Sequence, residues 1–155
     1  MFNLSFDDFI RINRLDNSYW ECADLVTDEQ VQLLFSEDAL LQVGSLKLIG
    51  RSDIQSFFQN RAQKNHSDLR ITRHISSGFT LQTINANEVK AFSKVIVFSG
   101  NGEFLPLNVE LPSTMADVED LFLKNDEGVW HIAKRIISPV FVGSGAPNFA
   151  QSKGS

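Results

Sequence analysis

Apolar residues recur at helical spacing near the start of the chain. Phe9, Ile12, Leu15, Tyr19, Cys22, Ala23 and Val26 share one face when residues are projected at about 100° each, which predicts a helix over 6–26. Asp24 projects to the edge of that face and Asp16 lies within it. Thr27-Asp28-Glu29-Gln30 has the form of a capping box and predicts a short second helix ending near residue 35. Ser52-Asp53-Ile54-Gln55 repeats the signal and predicts a third helix to about 64, with Ile54, Phe57 and Phe58 inward.

Between these helices, short apolar runs at 39–44 and 46–49 flank Gly44-Ser45 and predict a hairpin. From residue 69 onward the pattern is strand-like. Segments 69–77, 79–84, 89–99, 118–124 and 129–142 are rich in β-branched and aromatic residues. Asn85-Ala86-Asn87 and Asn125-Asp126-Glu127-Gly128 supply turn chemistry between them. The connection 100–116 carries Phe104, Leu105, Leu107, Val109 and Leu111, so it reads as a lid or a subunit contact. Residues 143–155 are rich in Gly, Ser, Ala and Asn and read as a loose tail behind a single domain over 1–142.

Helices first and a meander of strands afterwards predict an α+β fold. The expected architecture is a long antiparallel sheet curling around the N-terminal helices, with a pocket between helix and concave sheet.

Composition changes this picture only at the margins. The 155 residues are 43% hydrophobic and 21% charged, as for a globular chain that buries roughly 70% of its unfolded surface. A net charge of −5 argues against nucleic acid as a partner. Thirteen Phe residues suggest an interior or a pocket of large rings. A lone Cys22 cannot form an intramolecular disulfide and fits a reducing compartment. No apolar run approaches the roughly 20 residues of a membrane span, and no secretory signal is visible, so the expected location is cytoplasmic. His66 and His131 lack partners at ligand spacing, so no metal site and no cofactor are expected. Neither a phosphate loop nor a nucleophile elbow is present.

Four local patterns carry a family resemblance over about 8–140. They are Tyr19-Trp20-Glu21-Cys22-Ala23-Asp24, Leu34-Phe35-Ser36-Glu37-Asp38-Ala39, Gly50-Arg51-Ser52-Asp53-Ile54 with Phe57, and the pair Thr72-Arg73-His74 and Gly128-Val129-Trp130-His131-Ile132. In this order they resemble the nuclear transport factor 2-like superfamily and, within it, the SnoaL-like group. The resemblance implies a cone-shaped, cystatin-like α+β barrel. In its dehydratase and dehydrochlorinase branches, an Asp matching Asp24 orients a His matching His74, and that His is the general base. The dehydratase branch adds a second His, where the nearest matching position here is Ser99. This departure narrows the implied chemistry toward a single base.

The residues themselves leave alternatives open. Strand alternation puts Arg70, Thr72, His74 and Ser76 on one face and Ile71, Arg73 and Ile75 on the other. If the Ile face is core, His74 points outward. If the Ile face meets another subunit, His74 points into the pocket. Asp24 can equally be a surface carboxylate at a helix end. Asp16 is its rival: a carboxylate on an apolar face needs pairing, so it can partner His74, line the pocket or pair with a strand Arg. Tyr19 and Trp20 can wall the pocket or donate a hydrogen bond to an oxyanion, or one of them can be plain core. Asp120 can reach it, or form an ion pair with Arg73 or Arg135.

Two functions are therefore expected. One is a small cofactor-independent lyase or isomerase that takes a proton from a hydrophobic, possibly cyclic, small molecule through His74 and Asp24. The other is a ligand-binding or assembly module, such as the small subunit of a ring-hydroxylating dioxygenase. A homo-oligomer, dimer or trimer, is expected with either.

Overall fold

The computed structural model describes residues 3–108 and 110–151. Val109, expected among the apolar loop residues, lies outside them, as do residues 1–2 of the domain and 152–155 of the tail. Helix α1 (Phe6–Ala23) is opened by Ser5, whose hydroxyl accepts the Asp8 backbone N–H. It stops three residues short of the expected end. Asp24 is the C-cap, and Leu25 and Val26 return their N–H groups to the carbonyls of Cys22 and Glu21. Leu25 adopts φ +58, a left-handed conformation with no sequence signal in a leucine.

The Thr27 box does not nucleate an α-helix. Thr27 accepts the Glu29 N–H, and only a 3-10 turn (Val31–Leu34) follows before the chain enters β1 (Phe35–Val43). The predicted hairpin forms between β1 and β2 (Leu46–Ile49). Helix α2 (Gly50–Ser67) starts two residues earlier than predicted. Gly50 turns the chain at φ +83, and Asp53 reaches back to accept the Ile49 N–H.

The two strands predicted around Gly78 are one long strand, β3 (Arg70–Asn85). The register shifts between Ser77 and Thr80, where Gly78 has φ +68. Strands β4 (Glu88–Asn101), β5 (Thr114–Lys124) and β6 (Trp130–Val142) complete the meander. The sheet order is β2-β1-β6-β5-β4-β3. All pairs are antiparallel except β1 with β6. This makes a mixed α+β structure with a six-stranded, curved sheet that does not close.

The concave face builds the core with α1 and α2. Ile12, Phe35, Ile54, Val89, Phe122 and Ile132 have no measurable exposure. Asp8 fastens the start of α1 to the β5–β6 hairpin, accepting from Trp130 Nε1 at 2.7 Å and from Lys124 Nζ at 3.0 Å. Arg51 Nε fastens α2 to the Phe35 carbonyl at 2.8 Å.

The C-terminal segment corrects the expectation of a loose tail. Residues 143–151 fold back over the sheet's end and carry a short helix α3 (Asn148–Gln151). Ala146 and Ala150 are buried, and the Phe149 ring meets Phe57 edge-on at 5.9 Å. A segment poor in apolar residues is held here because the Ser45 backbone N–H and Arg70 Nη2 bond its carbonyls, at Phe149 and Gly145.

Candidate active site

The left-handed turn at Leu25 ends α1 against the start of β3. There the Asp24 carboxylate collects three donors. Thr72 Oγ1 gives a hydrogen bond to Oδ1 at 3.1 Å, the His74 backbone N–H gives one to Oδ2 at 2.9 Å, and His74 Nδ1 lies 2.6 Å from Oδ1. Thr72 and His74 can both reach it because residues two apart on a strand share a face. Only 8% of the Asp24 side chain and 13% of the His74 side chain are exposed. Burial pushes the Asp24 carboxyl up, but the hydrogen bonds from His74 and Thr72 and the imidazole's charge together hold it below the ordinary carboxylate value. A neutral ring that donates Nδ1–H to Asp24 carries its lone pair on Nε2.

The inward alternative therefore holds for His74. Ile75, on the opposite face, is 55% exposed on the convex side. The His74 ring stacks on Trp20 with centroids 5.1 Å apart and planes inclined by 22°. Trp20 is itself fixed, since its Nε1 donates to Asp16 Oδ1 at 3.1 Å.

Asp16 thus stands two steps from His74 and is not its partner. With Asp120 it brackets Arg135, which is fully buried. Arg135 Nε and Nη2 donate to the two oxygens of Asp120 at 2.7 Å each, and Nη2 donates to Asp16 at 2.6 Å. Burial opposes the charge on Arg135, yet the two carboxylates raise its pKa above the ordinary value. The guanidinium also covers the Tyr19 ring at 4.3 Å. Burial pushes the Tyr19 phenol up to about 12, against the pull of Arg135 and Arg61. Of the roles expected for Asp16 and Asp120, pairing with a strand Arg is the one the geometry shows: Arg135 engages both, and neither is among the residues that line the cavity.

The cavity has a volume of about 550 Å3. Tyr19, Trp20 and His74 form part of its wall. Val95, Val97, Ala116 and Ile137 line it from the sheet, and Phe57 and Phe58 from α2. The C-terminal segment contributes Gly145, Pro147, Phe149 and Ala150. Ser99 shares the concave face of β4 with Val97 but does not line this space; it lies beside Gly145 under the C-terminal segment. Val97 pairs directly with His74, so the neighbouring strand offers the imidazole an apolar neighbour and no second titrating group.

The sequence reading missed Thr72 and Arg61. Thr72 is signalled by its place two residues before His74. Arg61 donates from Nη1 to the Ala23 carbonyl and from Nη2 to Thr72 Oγ1 at 3.3 Å, a tertiary contact that leaves no local signature. Among the described residues, no three His, Cys, Asp or Glu side chains stand together as metal ligands. No helix among them is long and apolar enough to cross a membrane.

Comparison with known proteins places this geometry in a fold. No family model matches the chain, and no curated protein matches it significantly. Solved structures do match. A protein of unknown function with a cystatin-like fold from Nostoc punctiforme is 22% identical with a TM-score of 0.70, over 94% of this chain and 98% of that one. A candidate scytalone dehydratase from Novosphingobium aromaticivorans is 17% identical with a TM-score of 0.73, over 91% and 89%. A Catenulispora acidiphila protein in complex with S-DNPA is 15% identical with a TM-score of 0.64, over 84% and 92%. These neighbours show the fold that the resemblance implied, and the chain has the cystatin-like fold.

Proposed function

We propose that the protein is a small lyase or isomerase that removes a proton from a largely apolar small molecule. The observation that carries this reading is the 2.6 Å contact between His74 Nδ1 and Asp24 Oδ1 on the wall of an apolar cavity. His74 Nε2 takes the proton from a carbon of the bound molecule. Asp24 keeps the lone pair on Nε2 and stabilises the imidazolium that forms. Trp20, stacked on the ring, holds the imidazole's plane. The imidazolium then returns the proton to another carbon, completing an isomerisation, or to a departing oxygen, completing an elimination. The fold neighbours described as a candidate scytalone dehydratase and as a complex with a small molecule are consistent with such a use of this cavity.

The test is exchange of substrate hydrogen with solvent. Cyclic ketones and β-hydroxy ketones are incubated with the protein in D2O and followed by mass spectrometry. The wild type is expected to wash in deuterium, and His74→Gln to do so about 10²–10⁴-fold more slowly, the usual worth of a general base, with the fold retained by circular dichroism. Equal rates in the two proteins would overturn the assignment.

A second reading, assembly through the sheet, is favoured by an apolar row on the convex face. Ile75, Ile96, Met115 and Phe141 are successive partners across β3, β4, β5 and β6. Self-association through this row is compatible with catalysis, because it lies on the opposite side of the sheet from His74.

A further inference from the structure

One end of the cavity differs from the rest in charge. Asn60, Arg61, Lys64 and Asn65 of α2 line it, with Arg70 at the start of β3 and Asn101 at the end of β4. In a chain with 19 acidic and 14 basic side chains, this end gathers three cations. Asp68 lines this end too and pairs with Lys64 at 2.7 Å, while Asp24 is close enough to act on Arg61 without pairing with it. Among the described residues neither Arg61 nor Arg70 forms an ion pair. Arg61 is anchored on the neutral acceptors Ala23 O and Thr72 Oγ1, and Arg70 on the Gly145 carbonyl at 2.8 Å.

Asn65 stands one helical turn after Arg61, on the same side of α2. It is 6% exposed, lines this cavity as well as a smaller one behind Asp24, and its amide has no hydrogen-bond partner among the described residues. Lining both cavities, this amide is available to a ligand's oxygen. Burial, together with the neighbouring charge of Arg70, also works against the Arg61 cation, and the influence of Tyr19 and Asp24 does not fully offset it.

We infer that the Arg61–Asn65–Arg70 end of the cavity receives an ionised carboxylate on the ligand, so that the substrate is an apolar molecule bearing one acid group. This rests on the cavity being the ligand site of the function proposed above. The forked guanidinium is suited to a carboxylate, and the open amide of Asn65 completes the set of donors. Arg61 bonds Thr72, and Thr72 lies one same-face step, about 7 Å, from His74. The acid group therefore sits near the carbon that His74 attacks, within a few bonds of it, while the apolar body extends toward Val95, Ile137 and Phe57.

Calorimetric titration with 2-naphthoate and 2-naphthamide at pH 7 tests the assignment, since the two probes differ in charge and hardly in shape. The wild type is expected to bind the naphthoate at least about tenfold more tightly, the worth of one charge-assisted hydrogen bond. Asn65→Leu and Arg70→Gln should each reduce this preference severalfold, and Asn65→Leu, which unlike Arg70→Gln frees no segment of the wall, should leave naphthamide affinity in place. Arg61→Gln should reduce it as well, but that change also frees the end of α1, so the other two variants decide. Equal affinity of the two probes for the wild type, binding of neither, or a preference that survives both variants would overturn the inference. His74→Gln separates it from the proposed chemistry: it should keep the naphthoate preference although exchange with solvent is lost.

Discussion

Single residues set the chemistry here through what they are denied as much as through what they touch. Asp24 keeps only 8% of its side chain exposed, yet its folded pKa lies below the ordinary value because three donors converge on it. A carboxylate with a depressed folded pKa stabilises the native state fully above its unfolded pKa of about 4 and loses that contribution as pH falls through the lower folded value. Asp24→Asn should therefore be less stable than wild type at pH 6, and the gap should narrow as pH drops below about 4. Urea denaturation of both proteins across this range measures it, and a gap independent of pH would contradict the assigned hydrogen bonds. The residue pattern showed His74 and Asp24 as separate possibilities only. Strand alternation does not say which face is concave, and a helical projection does not say where a helix ends. Asp16 illustrates the limit. Its place on the apolar face correctly signalled a paired carboxylate, but its partner Arg135 is 119 residues away and not visible from local spacing.

Elements position these residues, and two helix ends do most of it. Both α1 and α2 close with an Asp C-cap followed by a leucine at positive φ, Asp24-Leu25 and Asp68-Leu69. The first delivers the carboxylate to β3; the second turns the chain into β3, which carries His74. Glycine is the residue that such a position normally selects, and a leucine there costs roughly 1 kcal/mol in backbone strain. Leu69 is half exposed at φ +51, so Leu69→Gly loses little packing and should raise stability by about 1 kcal/mol, read as an upward shift in melting temperature. A lowered melting temperature would show that the leucine's packing outweighs its strain. The same ends explain why element boundaries were harder to read than element types. The helix at 6–23 and the later strands follow from periodicity, whereas a left-handed leucine has no pattern, and Gly78 in the middle of β3 resembles a turn although pairing with β4 continues across it.

At the scale of the molecule, the sheet separates two surfaces that the alternation of each strand keeps apart. The concave side is filled by α1, the cavity and the buried Asp16–Arg135–Asp120 cluster. The convex side is polar through the row Ser77, Lys94, Asp117 and Ser138, and then apolar in the row Ile75, Ile96, Met115 and Phe141 nearer the sheet's end. Phe98 extends this apolar surface, and Phe104, Leu105 and Leu111 stand exposed on the loop that joins β4 to β5 at the same end. Ile75 and Phe141 are 55% and 67% exposed, and apolar side chains in one continuous row are the usual mark of a protein interface. A row of this kind meets its own copy across a two-fold axis, apolar row against apolar row, with the charged row at the rim. Ile96, at the centre of it, is the residue to change. Ile96→Lys should convert a dimer or higher oligomer of wild type into a monomer by light scattering while leaving the exchange reaction of His74 intact, because the substituted side chain points away from the cavity. A wild type that is already monomeric at high micromolar concentration, or a variant with the wild-type mass, would count against self-association through this face. The exposed row would then fit a different partner, as the assembly reading requires, and retention of exchange activity by the isolated chain would separate that role from the chemistry on the other side of the sheet.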